Sequence, residues 1–561
     1  MSLRSLVVSS SWSPANEPRI TLPINELYKN LAKHADRRMQ FFAIDGRTVT
    51  KTFPEVHDDV VRLMSELRDC GIGAGDLVGL AGPNSYEWVV ADLALLGLEC
   101  VSVALPLERR TDAATVDELA GKYGLSAVLV TQALAGESGL PQGIARLEDR
   151  PLRLERRTRS GSGPESGDGG RPPLALPDDV FSIAFSSGTS GSKKGLMMSK
   201  KGVENTIRTS GEAWRVDGRD NLLIVMPFSN FQQRYLMYLA VRYGADATVV
   251  APERMFQKLK DFEPTIILGP PSFFEVACNR VDSAGLKERL PVLLATVLDT
   301  VAPGRASRGL RRRLGAKWMG MYGSRVRLML TGSAPVPPRT VRLFQLLGAP
   351  LHEVYGSTEI GWIALNLPGR GKVGSAGRPV DGIEVEVADD GEVVVRTDRP
   401  QCLGYVFEGT ETQDAVFLPG ERVATGDLGR FDEAGFLRLV GRKKNVIITR
   451  SGVKINPEEL ELAVEKGCRA DRAMVLSPDG DGLLTCVVWL DDWQSPERTA
   501  EVEAYVNESN KQQEAARRIS DVVFRPASEL TVESGLLTRN FKVDRGAVTR
   551  RIFGESTRAG R

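Results

Sequence analysis

Ser186-Ser187-Gly188-Thr189-Ser190-Gly191-Ser192-Lys193-Lys194-Gly195 gathers small hydroxyl side chains, three glycines and two lysines directly behind the apolar stretch Val180–Phe185. Backbone N–H and hydroxyl groups in such a run can close around phosphate oxygens, and the lysines supply positive charge. The pattern G-x-x-x-x-G-K-[ST] cannot be laid on it in any register, so it is not the phosphate loop of the common NTPases. A flexible Gly/Ser linker would share the composition but not the position behind a strand or the paired lysines.

Further groups of the right chemistry follow along the chain. Tyr355-Gly356-Ser357-Thr358-Glu359 places a flat aromatic, hydroxyls and a carboxylate together, and Thr425-Gly426-Asp427 offers a second carboxylate. Gly441-Arg442-Lys443-Lys444 and Lys542, within Thr538-Arg539-Asn540-Phe541-Lys542-Val543-Asp544-Arg545, add cations. A carboxylate for Mg2+, another for a diol, cations around a triphosphate and an aromatic for a purine are what ATP chemistry requires. Taken singly each has a plain alternative: Glu359 as a helix cap, Asp427 in a turn, Lys542 as a surface lysine.

In this order the stretches resemble the signatures of the adenylate-forming superfamily: acyl-CoA synthetases, nonribosomal peptide adenylation domains and firefly luciferase. The resemblance runs roughly from Leu27 to Arg551 and is closest in flavour to long-chain acyl-CoA synthetases. It implies that Ser186, Ser187, Gly188, Thr189, Ser190, Gly191 and Lys194 hold phosphate. Gly332, Ser333 and Ala334, within Thr331–Pro335, would line the adenine pocket; Tyr355 and Gly356 would pack on adenine, Thr358 would contact phosphate and Glu359 would hold magnesium. Asp427 would bind the ribose hydroxyls, aided by Arg442. Lys444 would be the hinge, Gly452 would face the site after hinge motion, and Lys542 would be the reactive-site lysine.

The implied chemistry is attack of an acid oxygen on the α-phosphorus of ATP with loss of pyrophosphate, which needs alignment and charge neutralisation but no general base. That suits a chain whose three histidines, His34, His57 and His352, are scattered. ATP and Mg2+ are the implied cofactors and coenzyme A the implied co-substrate.

The sequence departs from the family at Asn230, Gln232 and Gln233, where long-chain enzymes border the acyl pocket with a histidine and an aromatic. Amides beside an alkyl chain without partners cost a few kcal/mol. Gly361 and Trp362 follow the magnesium motif toward the same pocket, and an indole there would occupy the volume of a long tail; the plain alternative is that Trp362 turns into the core and the glutamines face solvent. The expectation is a short, aromatic or otherwise polar acid. Alternatives are transfer of the adenylate to a carrier protein or an amine, including a diazotase that activates nitrite for an arylamine, or an inactive relative acting as a binding protein.

These groups must be positioned by a framework. The chain of 561 residues exceeds one core, since cores stop growing at roughly 250–300 residues. Short apolar runs such as Leu77–Ala81, Ala127–Thr131, Leu222–Val225, Thr265–Leu268 and Arg327–Thr331 alternate with helical spacing over Phe53–Cys70 and Ser85–Leu96. That alternation predicts an α/β fold with parallel-rich sheets. Past Gly441 the pattern becomes a compact α+β series, so the expected domains are 1–440, with a mobile Gly/Ser/Pro-rich loop at 157–173, and a small mobile carboxy-terminal domain at 441–561.

Lys plus Arg number 73 against 72 Asp plus Glu, which provides no overall field for nucleic acid or membrane. Arg305, Arg308, Arg311, Arg312 and Arg313 are a local exception whose spacing reads as the solvated outer face of a helix, the alternative being a phosphate-contacting patch. Six isolated cysteines and the lack of a long uninterrupted apolar segment predict a reduced, cytoplasmic chain without a membrane span.

Overall fold

The computed structural model describes residues 8–9, 22–43, 46–105, 112–131, 141–148, 152–157, 175–185, 194–251, 259, 261–302, 305–334, 336–349, 351–407, 410–449, 453–478, 482–538 and 543–554. The loop expected at 157–173 lies, past Arg157, outside them. So do Ser186 to Lys193, Pro335, Gly452 and Arg539 to Lys542.

Two large sheets carry the amino-terminal part. The first runs in the order Cys402–Phe407, Lys194–Ser199, Val180–Phe185, Val101–Ala104, Leu77–Ala81, Ala127–Val130, Ile144–Arg146. The second has nine strands with Asn221–Ile224, Asp246–Val250, Ile266–Gly269, Leu328–Thr331 and Leu351–Ser357 near its middle. Neighbouring central strands of both are parallel. Strands such as Leu77–Ala81 and Leu328–Thr331 are buried at every position, which is why they read as continuous apolar runs and not as alternation.

Helices cover the sheets and start where the sequence caps them. Phe53–Asp69 opens on a capping box in which Thr52 accepts from the Glu55 backbone N–H and Glu55 reaches back to Thr52. An antiparallel sheet containing Glu384–Val387, Glu392–Arg396, Arg422–Phe431 and Leu437–Arg442 follows. The carboxy-terminal residues pack Arg472–Leu476, Leu484–Leu490 and Ile519–Pro526 against Pro457–Cys468 and Pro496–Lys511, and their buried apolar clusters draw only on residues past 446. The α/β reading with parallel-rich sheets therefore holds. No helix among the described residues is long and apolar enough to cross a membrane, and all six cysteines are unpaired thiols.

One expectation is corrected. Arg311 does not sit on the solvated face of its helix, Arg305–Met319, but is buried. It ion-pairs with Asp299 at 2.9 Å and donates to Ser307 Oγ at 3.0 Å and to the carbonyls of Gln345 and Leu346 at 3.2 and 3.1 Å. The helical period puts Arg311 on the face shared by Ser307 and Gly315, and those carbonyls end the helix Pro338–Leu346, where a cation is favoured.

Candidate active site

Asp427 sits mid-strand in Arg422–Phe431, directly opposite Arg442 on the antiparallel neighbour Leu437–Arg442. That register brings Arg442 Nε to 2.6 Å from Asp427 Oδ1. The second carboxylate oxygen accepts from Tyr355 Oη at 2.7 Å, so the aromatic motif and the carboxylate motif, 72 residues apart, close on one another. Burial pushes the Tyr355 phenol well above its ordinary range, which keeps it a donor. The Gly426 that precedes Asp427 has φ +69° and donates its N–H to Glu392 Oε1 at 2.9 Å. Glu392 in turn holds Lys443 at 2.6 Å, tying the residue before the expected hinge to the same strand layer.

Cations converge beside this carboxylate. Lys444 is exposed; partial desolvation lowers its pKa first, and the charges of Arg442 and Lys194 lower it further, while Asp544 and Asp427 oppose them. Residues from positions 194, 427, 442, 444 and 544 therefore share one electrostatic neighbourhood. Lys194 Nζ also donates to Thr412 Oγ1 at 2.6 Å and lies 4.8 Å from the centre of the Tyr405 ring.

Tyr405 Oη donates at 3.0 Å to Glu359 Oε1, which lies in the turn between strands Leu351–Ser357 and Gly361–Leu365. That turn is pinned from outside: Gln401 donates to the Thr358 carbonyl at 3.2 Å and accepts from Thr206 Oγ1 at 2.9 Å. Gly361, at φ +91°, has no space for a side chain, since a Cβ would fall 2.4 Å from Thr206 Oγ1. Gly356 is equally constrained, its missing Cβ lying 2.3 Å from the Gly361 carbonyl.

Gly332, Ser333 and Ala334 lie past the end of Leu328–Thr331, alongside Val354, whose carbonyl would be 2.7 Å from a Cβ on Gly332. Ser333 adopts φ +68° and donates to Gln232 Oε1 at 3.0 Å, joining the expected adenine segment to the expected acyl segment. Asn230 caps the helix Phe231–Tyr243 by accepting from the Gln232 N–H. Gln233 is buried and spends its amide oxygen on the backbone N–H groups of Val225 and Met226, both at 3.3 Å. Trp362 is buried too; its Nε1 donates to Ser210 Oγ at 2.8 Å and its ring meets Trp214 and Tyr235 edge to face.

Several positioning residues carry no motif. Asn84 clamps the segment before the helix by donating to the Met226 carbonyl and accepting from the Phe228 N–H. Arg234 is fully buried and binds Asp92, Tyr238, Ser182 and Ser102, joining the first large sheet to the helix that Asn230 caps. An arginine immediately after two glutamines was the sequence signal available. Tyr405, Gln401 and Glu392 offered none, because each matters only through a partner dozens of residues away.

Among the described residues no three His, Cys, Asp or Glu side chains come together as a metal cage. A single carboxylate, Glu359, fits a hard cation that keeps most of its ligands from phosphate and water, as Mg2+ does, and does not fit a transition-metal centre.

Residues 28–406 match the family model described as AMP-binding enzyme. A long-chain-fatty-acid–CoA ligase of Mycobacterium bovis, FadD15, is 25% identical over 91% of this chain and 92% of its own. A 3-[(3aS,4S,7aS)-7a-methyl-1,5-dioxo-octahydro-1H-inden-4-yl]propanoyl:CoA ligase of Rhodococcus jostii is 25% identical over 78% of this chain and 83% of its own. Among solved structures, the anthranilate CoA ligase AuaEII in complex with anthranoyl-AMP superposes with a TM-score of 0.70 at 19% identity, over 96% of this chain and 99% of that one. These findings bear out the family resemblance drawn from the motifs.

Proposed function

The chain belongs to the AMP-binding enzyme family and is an AMP-forming ligase of that kind; on this premise we propose that it activates a short, aromatic or otherwise polar acid as its adenylate and passes the acyl group to coenzyme A. The observation that carries the reading is the Tyr355–Asp427–Arg442 constellation with Lys194 and Lys444 beside it. A carboxylate accepts through about four lone-pair sites, so one oriented by a phenol and a guanidinium suits a pair of ribose hydroxyls. Lys194, Arg442 and Lys444 would offset phosphate charge at close range.

Glu359, steadied by Tyr405, would hold Mg2+, which when bound would neutralise phosphate charge. Ser186 to Gly191 would close on the phosphates between the strand ends Phe185 and Lys194, and Lys542 would contact the acid and the α-phosphate. The boundary near 441 would let the carboxy-terminal domain turn about Lys444 between the two half-reactions.

For the acid, Trp362 supports the restriction. Its indole is fixed among Trp214, Tyr235 and Ser210, and if the acyl pocket borders this segment, as the resemblance implies, it would take room that a long alkyl tail needs. Gln232 stands at the turn of Ser333 and brings polarity there, its amide oxygen accepting from the Ser333 hydroxyl, whereas those of Asn230 and Gln233 accept from backbone N–H groups.

The test is pyrophosphate release on a panel of acids, followed by loss of free coenzyme A. Acid-dependent pyrophosphate with stoichiometric consumption of coenzyme A is the expected result. Pyrophosphate release without that consumption would transfer the reading to a carrier or amine acceptor.

A further inference from the structure

The helix Leu286–Val301 is turned inside out. Leu286, Leu290, Leu293, Leu294, Val297 and Val301 are between 45% and 84% exposed. At 100° per residue these positions fall within one sector about 100° wide, a continuous apolar stripe along the helix. Its area is on the order of 600 Å2, above the few hundred Å2 that a soluble monomer usually leaves in one patch. The opposite face packs on the helix Arg305–Met319: Ala295 is buried there, Glu288 pairs with Lys317 at 2.6 Å and Asp299 with Arg311 at 2.9 Å.

That arrangement sorts charge as well as apolarity. Both acids of the helix lie on the side away from the stripe and are ion-paired, while the charged residues bordering the stripe are Lys287 and Arg289. Thr296 and Thr300, on one border, return their hydroxyls to the carbonyls of Val292 and Thr296 at 3.0 and 2.9 Å. Residues 286–319 hold eight Lys or Arg against two acids, a formal charge of +6 in a chain whose total is +1.

We propose that this helix docks the protein peripherally on an anionic lipid surface, the Leu/Val stripe lying in the interfacial plane and the bordering Lys287 and Arg289 meeting lipid phosphates. A leucine stripe framed by cations is the pattern of interfacial helices, and at about 24 Å the helix is too short to span a bilayer. A second copy fits less well, because pairing two such faces would bring the bordering Lys287 and Arg289 of one copy against those of the other, within segments of formal charge +6 each. Nucleic acid would satisfy the cations but leave the leucines wet.

The experiment is flotation of the full chain with neutral phosphatidylcholine vesicles and with vesicles containing about 30 mol% phosphatidylglycerol. Wild type is expected to float at least tenfold better with the anionic vesicles and to be released by about 0.5 M salt. Leu293→Glu/Val297→Glu and Lys287→Glu/Arg289→Glu should each lose most of the binding, while melting and pyrophosphate release with a water-soluble acid stay as in wild type. Equal flotation with both vesicle types, or undiminished flotation of the Leu293→Glu/Val297→Glu protein, would overturn the proposal. So would a wild-type dimer that this variant dissociates, since the stripe would then be an interface between copies.

Discussion

Tyr355 Oη donates to Asp427 Oδ2 across 2.7 Å, so two motifs that lie on different sheets act as one unit. A hydrogen bond to a charged group contributes roughly 1.5–3 kcal/mol. Tyr355→Phe is therefore expected to raise the Michaelis constant for ATP by about tenfold and Asp427→Ala by more, both with smaller effects on turnover. The double variant should be no worse than Asp427→Ala alone. Independent, additive losses in steady-state pyrophosphate assays would contradict the coupling.

Lys542 is proposed to contact the acid and the α-phosphate during adenylation only. Lys542→Ala should slow adenylate formation by about two orders of magnitude, on the order of 3 kcal/mol. Thioester formation from presynthesised adenylate should be nearly unaffected. Single-turnover measurement of the two half-reactions separates these effects, and equal loss in both would remove the assignment.

Trp362 should restrict acid length. Wild type is expected to turn over substituted benzoates or cinnamates better than palmitate by at least tenfold in kcat/KM, and Trp362→Ala to narrow or reverse that ratio. Truncating a buried tryptophan costs about 3–5 kcal/mol, so the variant must be assayed below its lowered melting temperature. Palmitate as the best wild-type substrate would refute the restriction.

Arg234 is predicted to matter for stability and for the position of the helix Phe231–Tyr243. Arg234→Met leaves Asp92 buried without its cation and should cost about 3–5 kcal/mol in denaturant unfolding. Arg234→Met/Asp92→Leu should recover much of that loss. A double variant as unstable as the single would mean that the charge imbalance is not the cause.

His352 is buried, and burial lowers its pKa from 6.5 to about 4. Above pH 6.5 folded and unfolded chains are both neutral at this site, and it contributes no slope. As pH falls from 6.5 to 4 the unfolded chain binds a proton that the folded chain resists, so stability is lost on acidification, by on the order of 3 kcal/mol. The adjacent Glu353, raised to about 7 by burial, has the opposite sign between its ordinary value of 4.5 and 7, where rising pH costs stability. The clean measurement is the difference in unfolding free energy between wild type and His352→Gln at several pH values. A difference independent of pH would contradict the assignment.

The sequence alone determined the α/β class and the places of individual strands, because a strand buried on both faces must be an uninterrupted apolar run. Val180–Phe185 and Leu77–Ala81 occupy the residues their composition indicated. It also identified Asp427, Arg442 and Tyr355 as candidates, since ATP chemistry demands particular groups in short, recognisable stretches. Tertiary structure decided what those groups do to one another. The Tyr355–Asp427 bond, the support of Glu359 by Tyr405 and the convergence of Lys194 with Lys444 depend on strand order and register, which local patterns do not encode. Burial was likewise out of reach for Gln233, Arg234 and Arg311, polar residues whose side chains turn inward because partners from distant elements satisfy them. The exposed stripe of Leu286–Val301 is the converse: its periodicity is legible in sequence, but only packing shows that the apolar face points away from the core.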